Sequence, residues 1–167
     1  VIWVPTPDSL VIKMLETAQV TNKDLVYDLG AGDGKIAIEA ARRYGARAVG
    51  IEFDPQMADH ARQNAKNARV ADKVTIITGD IFAEDFSQAT VVTLYLLPSL
   101  NGKLYPTLIN MKPGTRIVSN TFTIGSWIPD KTFYGDSGTV GYFWVVPAKV
   151  NGFWRLEGVP GFDQATI

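Results

Sequence analysis

The stretch LVYDLGAGDGKIAIEAARRYG (25–45) narrows the fold more than any other segment of the chain. A short apolar run ends on Asp28, and three alternate glycines, Gly30, Gly32 and Gly34, follow it. The spacing then turns helical. Ile36, Ala37, Ala40, Ala41 and Tyr44 fall on one face, and Gly45 stops the pattern. A buried strand that passes through a glycine turn straight into a helix is the repeating unit of parallel α/β sheets.

The same rhythm recurs along the chain. DSLVIKMLETAQV (8–20) puts Val11, Met14, Leu15 and Ala18 on one face, with Asp8 or Ser9 as its cap. RAVGI (47–51) reads as a second strand, and Asp54-Pro55 opens a helix with a capping acid and a first-turn proline. KVTIIT (73–78), TVVTLYLL (90–97) and TRIVSN (115–120) read as further strands. The helical pattern near 99–111 contains Pro106, which predicts a break in two there. Residues 121–139 read as a long loop, and GYFWVVPAKVNGFWRLEG (141–158) as two strands about a turn at Asn151-Gly152.

The expected fold is a doubly wound, Rossmann-like, mostly parallel seven-stranded sheet with helices on both faces and an antiparallel C-terminal hairpin. It is expected to form one domain over residues 1–167.

Composition removes several functions. Lys plus Arg (16) nearly cancels Asp plus Glu (17), which gives no signal for a broad nucleic-acid footprint. There is no cysteine, hence no thiolate nucleophile and no Cys-ligated metal, and the single histidine, His60, reads as a surface residue. No metal is expected. No apolar run reaches membrane-spanning length, so a cytoplasmic location is expected. The chain opens on Val1, which leaves an upstream targeting or anchor segment open.

In doubly wound sheets ligands sit at the carboxyl ends of the strands, so the residues just after each strand are the candidates. After the first strand, the dinucleotide fingerprint needs a third glycine where Lys35 stands, and the P-loop needs Ser or Thr where Ile36 stands. Neither phosphate motif is present. Asp28 instead favours a ligand with a positive group. Glu52 ends the second strand, 24 residues after Asp28, where a carboxylate can accept from ribose hydroxyls. Asp80 ends the third, beside Ile81 and Phe82, and suits an adenine: the acid accepts from the exocyclic amine while an apolar side chain packs on the ring. Taken alone, each acid reads equally well as a turn or a solvated strand end. Three at successive strand ends ask for a cationic adenosine ligand.

VYDLGAGDG, GIEFD and GDIF resemble the first three motifs of class I S-adenosylmethionine-dependent methyltransferases, and the likeness extends from about residue 5 to 157. Within that superfamily the chain looks most like small enzymes carrying DLGSGDGR, such as the lysine methyltransferases that modify the c subunit of ATP synthase and the adenine nucleotide carrier. The resemblance implies S-adenosyl-L-methionine as cofactor. It sets Asp28 with Gly30, Ala31 and Gly32 at the methionine part, Glu52 at the ribose, and Asp80 and Ile81 at the adenine, with Phe53 as a further cofactor contact. It also brings Pro5 and Thr6 of VPTP (4–7) against the cofactor. The sequence departs from those enzymes at YLLP (95–98), where they have Phe-Gly-x-Pro, and in showing no hydrophobic anchor.

Methyl transfer from a sulfonium needs alignment rather than a covalent nucleophile or a metal. Tyr95, or the Leu96 and Leu97 carbonyls, can orient an amine acceptor. Leu97, Pro98, Asn120 and Trp127 are the acceptor-side candidates, whereas Trp144 and Trp154 read as core. LLPS (96–99) lacks the first polar residue of the NPPY motif, which argues against methylation of a nucleobase amine. The expected acceptor is a protein lysine or another amine. A small-molecule methyltransferase and a non-catalytic S-adenosylmethionine-binding module remain the alternatives.

Overall fold

The computed structural model describes residues 6–150, 155–156 and 165–166. Pro5, Trp154 and the expected turn at Asn151-Gly152 lie outside the described residues. The chain runs α1 (Asp8–Thr17), β1 (Leu25–Leu29), α2 (Lys35–Tyr44), β2 (Arg47–Glu52), α3 (Pro55–Asn67), β3 (Val74–Thr78), β4 (Val91–Leu94), α4 (Pro98–Ile109) and β5 (Arg116–Asn120). β6 (Lys131–Tyr134), a short 3₁₀ turn (Asp136–Gly138) and β7 (Val140–Val145) follow. Two-residue strands β8 (Arg155–Leu156) and β9 (Ala165–Thr166) pair with each other, apart from the main sheet.

The main sheet has the order β3-β2-β1-β4-β5-β7-β6. β1 to β5 are parallel, β7 runs antiparallel to β5, and β6 is antiparallel to β7 at the edge. The order reverses between β1 and β4, so the carboxyl ends of these two strands flank the crevice where such sheets hold ligands.

The near-continuous apolar strands follow from a core on each face. Val91, Val118 and Phe143 pack with α1, α2 and α3, while their neighbours Val92, Ile117 and Trp144 pack with Leu104 and Leu108 of α4. Consecutive residues of a strand point to opposite faces, so each strand feeds both cores.

Asp54 caps α3 as its position predicts, accepting from the amides of Gln56 (2.8 Å) and Met57 (3.4 Å), with Pro55 in the first turn. α1 differs. Its cap position is Pro7, no side chain caps it, and Asp8 instead lies in the first turn. α4 is a single helix through Pro106. The proline forfeits one helical donor, and burial of Leu104 and Leu108 on either side of it keeps the helix together.

The larger correction concerns the hairpin. Among the described residues the hairpin partner of β7 is β6, inside the segment expected to be loop, while β8 pairs with β9. β6 is short, and only Phe133 of its four residues is buried, so its sequence carries little strand signal. What fixes it is a cross-strand fit. Phe133 pairs with Gly141, and its ring occupies the space that a Cβ on that glycine would take. Gly141→Val should therefore push Phe133 out of the core and cost about 1–3 kcal/mol. Urea unfolding measures that loss, and an unchanged midpoint would mean the ring is not held there.

Candidate active site

The site is built from four strand ends. On β1, Asp28 is only 2% exposed, and its carboxylate accepts from Thr93 Oγ1 at 2.7 Å. Thr93 lies directly beside it on β4 in the parallel register. Burial pushes the Asp28 carboxyl up to about 7, against the opposing pull of the Thr93 hydrogen bond, while nearby Asp33 and Glu52 push the same way as burial. This acid is held where its charged form lacks a partner, a state that a cationic ligand group relieves.

The chain then turns through Gly30, Gly32 and Gly34 with φ of +79°, +55° and +82°. These are left-handed values that favour glycine. At Gly30 space matters as well, since a Cβ there would lie 2.7 Å from Leu96 Cδ2. The amides of Gly30 and Ala31 both donate to the Ile51 carbonyl at 2.9 Å, which ties the turn to the end of β2. One residue further on, Glu52 Oε2 accepts from the Gly32 amide (2.8 Å) and Oε1 from the Asp54 amide (3.0 Å). Each oxygen keeps a lone pair for a ligand hydroxyl. Asp80, at the end of β3, accepts from the Phe82 amide at 2.9 Å through Oδ1 and so closes its own turn.

β4 ends at Leu94, so Tyr95, Leu96 and Leu97 leave the sheet and enter the crevice instead of extending the strand. The Leu97 carbonyl accepts the amides of Leu100 (2.9 Å) and Asn101 (3.1 Å) at the start of α4. It is therefore engaged by the helix, whereas Tyr95 and Leu96, the other two expected orienting groups, also line the crevice.

Together these ends line a cavity of about 910 Å³. Of the residues expected from sequence, it brings together Thr6, Asp28, Gly30, Ala31, Glu52, Phe53, Asp80, Ile81, Tyr95 and Leu97. Gly32 stands behind the wall with its amide on Glu52, and Phe53, 78% exposed, stands at the rim. Pro98, Asn120 and Trp127 do not line the cavity. Trp127 packs on the α4 side, with ring centroids 5.7 Å from Tyr105 and 5.9 Å from Trp144, and its carbonyl accepts from Trp144 Nε1 at 3.1 Å. It is half-buried and packs against the second core. His60 is exposed on α3 and away from the cavity.

Sequence reasoning missed Met57 and Leu100, which line the cavity, and Thr93, which holds Asp28. Met57 carries the spacing of a core residue, and the partnership of Thr93 with Asp28 depends on a strand register that no local pattern reveals. Lys35 shows what stands in place of the missing glycine. Its Nζ reaches the Thr6 carbonyl (3.1 Å) and the Asp8 carboxylate (2.8 Å), drawing the segment before α1 to the cavity.

The family follows from this arrangement and from comparison with known proteins. Residues 28–131 match the ANTKMT methyltransferase domain. The chain belongs to that family. A protein-lysine N-methyltransferase of Saccharolobus islandicus is 41% identical over 142 residues, covering 84% of this chain and 88% of that protein. A Mus musculus lysine N-methyltransferase named for the c subunit of ATP synthase is 31% identical over 64% of this chain, which spans 43% of the mouse protein. Among solved structures, an RNA methyltransferase from Salinibacter ruber in complex with S-adenosyl-L-homocysteine superposes with a TM-score of 0.85 at 52% identity, over 89% of this chain and 97% of that one.

The protein is thus an S-adenosylmethionine-dependent methyltransferase, and its cavity fits that cofactor on its own features. Among the described residues no cation pairs with the buried acid, a glycine turn with no room for a Cβ at Gly30 lies beside it, and two further carboxylates stand at the neighbouring strand ends. Among the described residues no group of His, Asp or Glu is arranged to hold a metal ion, and no helix is long and apolar enough to cross a membrane.

The raised value at Asp28 carries a sign for stability. The ordinary carboxyl value is 3.8 and the folded value about 7, so the folded state prefers the neutral form. Stability is lost as pH rises from about 4 through 7 and levels off above. Asp28→Asn keeps an acceptor for Thr93 without the charge. It should raise the stability of the cofactor-free protein by up to about 4 kcal/mol above pH 7, with no gain near pH 3. Thermal unfolding of both proteins across that range checks this, and parallel profiles would refute it.

Proposed function

We propose that the protein methylates the side-chain amine of a protein lysine. The observation that carries this reading is the charge and polarity of the cavity wall. Among the described residues that line it, Asp28, Asp33, Glu52, Asp54 and Asp80 face a single cation, Lys35, whose Nζ already pairs with Asp8. Where β4 ends, the wall turns apolar through Tyr95, Leu96, Leu97, Leu100 and Phe122. An acidic lining attracts cations, the acceptor amine as well as the donor sulfonium. An apolar throat accommodates the methylene stem of lysine and, by desolvation, favours the neutral amine that can attack. The family and the lysine-methylating relatives point the same way.

S-adenosylmethionine, when bound, supplies a methyl group on a cationic sulfur that is open to in-line displacement. In this reading Asp28 and the glycine turn beside it hold the methionine end, Thr6 lies against it, Glu52 holds the ribose, and Asp80 with Ile81 holds the adenine. Tyr95 orients the acceptor nitrogen, Leu97 and Phe122 enclose its stem, and the apolar wall keeps water from the transfer path. Alignment of this kind can supply roughly 7–11 kcal/mol of the barrier without a covalent nucleophile. The working unit is one domain over residues 1–167, acting in the cytoplasm.

A second reading, RNA as acceptor, is favoured by the Salinibacter structure described as an RNA methyltransferase. The acidic lining opposes it, because a polyanion needs basic contacts and would meet carboxylates at the mouth.

Two measurements test the reading. Purified protein incubated with methyl-labelled cofactor and cell extract should place the label in material that is destroyed by protease and resistant to nuclease, with methyl-lysine in its hydrolysate. Label lost to nuclease would hand the function to the second reading. For the cofactor site, Glu52→Ala should weaken S-adenosylhomocysteine binding by about 1.5–3 kcal/mol in calorimetry. Equal affinity in the variant would remove Glu52 from the ribose.

A further inference from the structure

Asn120 was expected at the acceptor, yet its amide is spent on the protein. It is 1% exposed at the end of β5. Its Nδ2 donates to Thr6 Oγ1 (3.3 Å), and its Oδ1 accepts from Thr121 Oγ1 (2.7 Å). These two neighbours belong to different segments of the chain around the cavity. Thr6 lines it from the segment before α1, which Lys35 also grips through the Thr6 carbonyl. Thr121 leads into Phe122, which lines it from the loop after β5.

That loop is held in an unusual shape. Thr121 has φ of +65°, in the left-handed region that β-branched residues avoid. Such a conformation persists only where its surroundings impose it, and it concentrates at functional sites. Here the Thr121 amide donates to the Val140 carbonyl (2.8 Å), and the Phe122 amide donates to the Asn120 carbonyl (2.7 Å). The Phe122 carbonyl accepts from Ser119 Oγ (2.6 Å) and from Asn101 Nδ2 (3.4 Å). Phe122 is therefore presented to the cavity by a knuckle that the Asn120 side chain ties to Thr6.

We propose that Asn120 is a positioning residue that couples the Thr6 segment on the donor side to the Thr121–Phe122 knuckle on the acceptor side, so that donor binding orders the acceptor wall. The proposal rests on the cofactor assignment above. Methyl transfer tolerates little error in alignment, so a link that sets both walls at once bears directly on rate.

The test is amide hydrogen exchange on the full chain with and without S-adenosylhomocysteine, in the wild type, Thr6→Val and Asn120→Ala. In the wild type the ligand should slow exchange both at residues 30–34 and, by about tenfold, at Thr121 and Phe122. Thr6→Val keeps the shape of the side chain and removes only the hydroxyl that meets Asn120. With S-adenosylhomocysteine at saturation, so that any loss of affinity is compensated, it should keep the slowing at 30–34 and reduce that at Thr121 and Phe122 to less than about twofold. Asn120→Ala should do the same, and if that variant does not fold, Thr6→Val carries the test alone. Slowing at Thr121 and Phe122 that survives Thr6→Val would overturn the coupling and leave the cofactor site intact. No slowing at 30–34 in the wild type would overturn the cofactor assignment and the coupling with it.

Discussion

The hydrogen bond from Thr93 to the buried carboxyl of Asp28 joins the two strands on which the molecule turns. β1 and β4 are neighbours in the sheet, yet the chain leaves them in opposite directions, to β2 on one side and β5 on the other. The crevice opened by that divergence is the cavity, and Asp28 lies at its floor. An acid so enclosed is costly to ionise, and burial is the largest of the causes that drive its carboxyl upward, ahead of the nearby Asp33 and Glu52 charges. The structure bears this cost at the one point where a ligand cation can offset it, a common relation between stability and function at binding sites.

A second economy appears at Glu52. The carboxylate proposed to hold the ribose also accepts the Gly32 amide through one oxygen and the Asp54 amide, at the cap of α3, through the other. One side chain thereby shapes the glycine turn, fixes the start of the next helix and keeps its own orientation. Preorganisation of this kind means that binding need not order the loop. Lys35 extends the same frame outward by holding the Thr6 carbonyl and Asp8 against the turn.

Legibility in the sequence followed how local the physics is. The strand-turn-helix units, the Asp54-Pro55 cap and the acids at the strand ends depend on spacing within about a dozen residues, and they read correctly. Features that depend on what lies across the sheet did not. β6 escaped notice because its partner supplies its reason to be a strand, through the fit of Phe133 over Gly141. Trp127 sat in an irregular segment and read as an acceptor contact, but Trp144 and Tyr105 draw it against the core. Pro106 reads as a break in isolation, and burial on either side of it overrides that local preference.

By itself the sequence determined the class of fold and the nature of the donor. The glycine spacing excluded two phosphate motifs, and three acids at successive strand ends specified a cationic adenosine compound. Both conclusions rest on residues close in sequence or on the fixed rule that strand ends converge. Only the tertiary structure decided which candidates face the cavity and which hold it together: Thr93 as the partner of Asp28, the Leu97 carbonyl engaged by α4, and Asn120 between Thr6 and Thr121. The reason is that strand register and side-chain burial are set by contacts between residues as much as 114 positions apart, and no local pattern in the chain encodes which of its polar groups those contacts will consume.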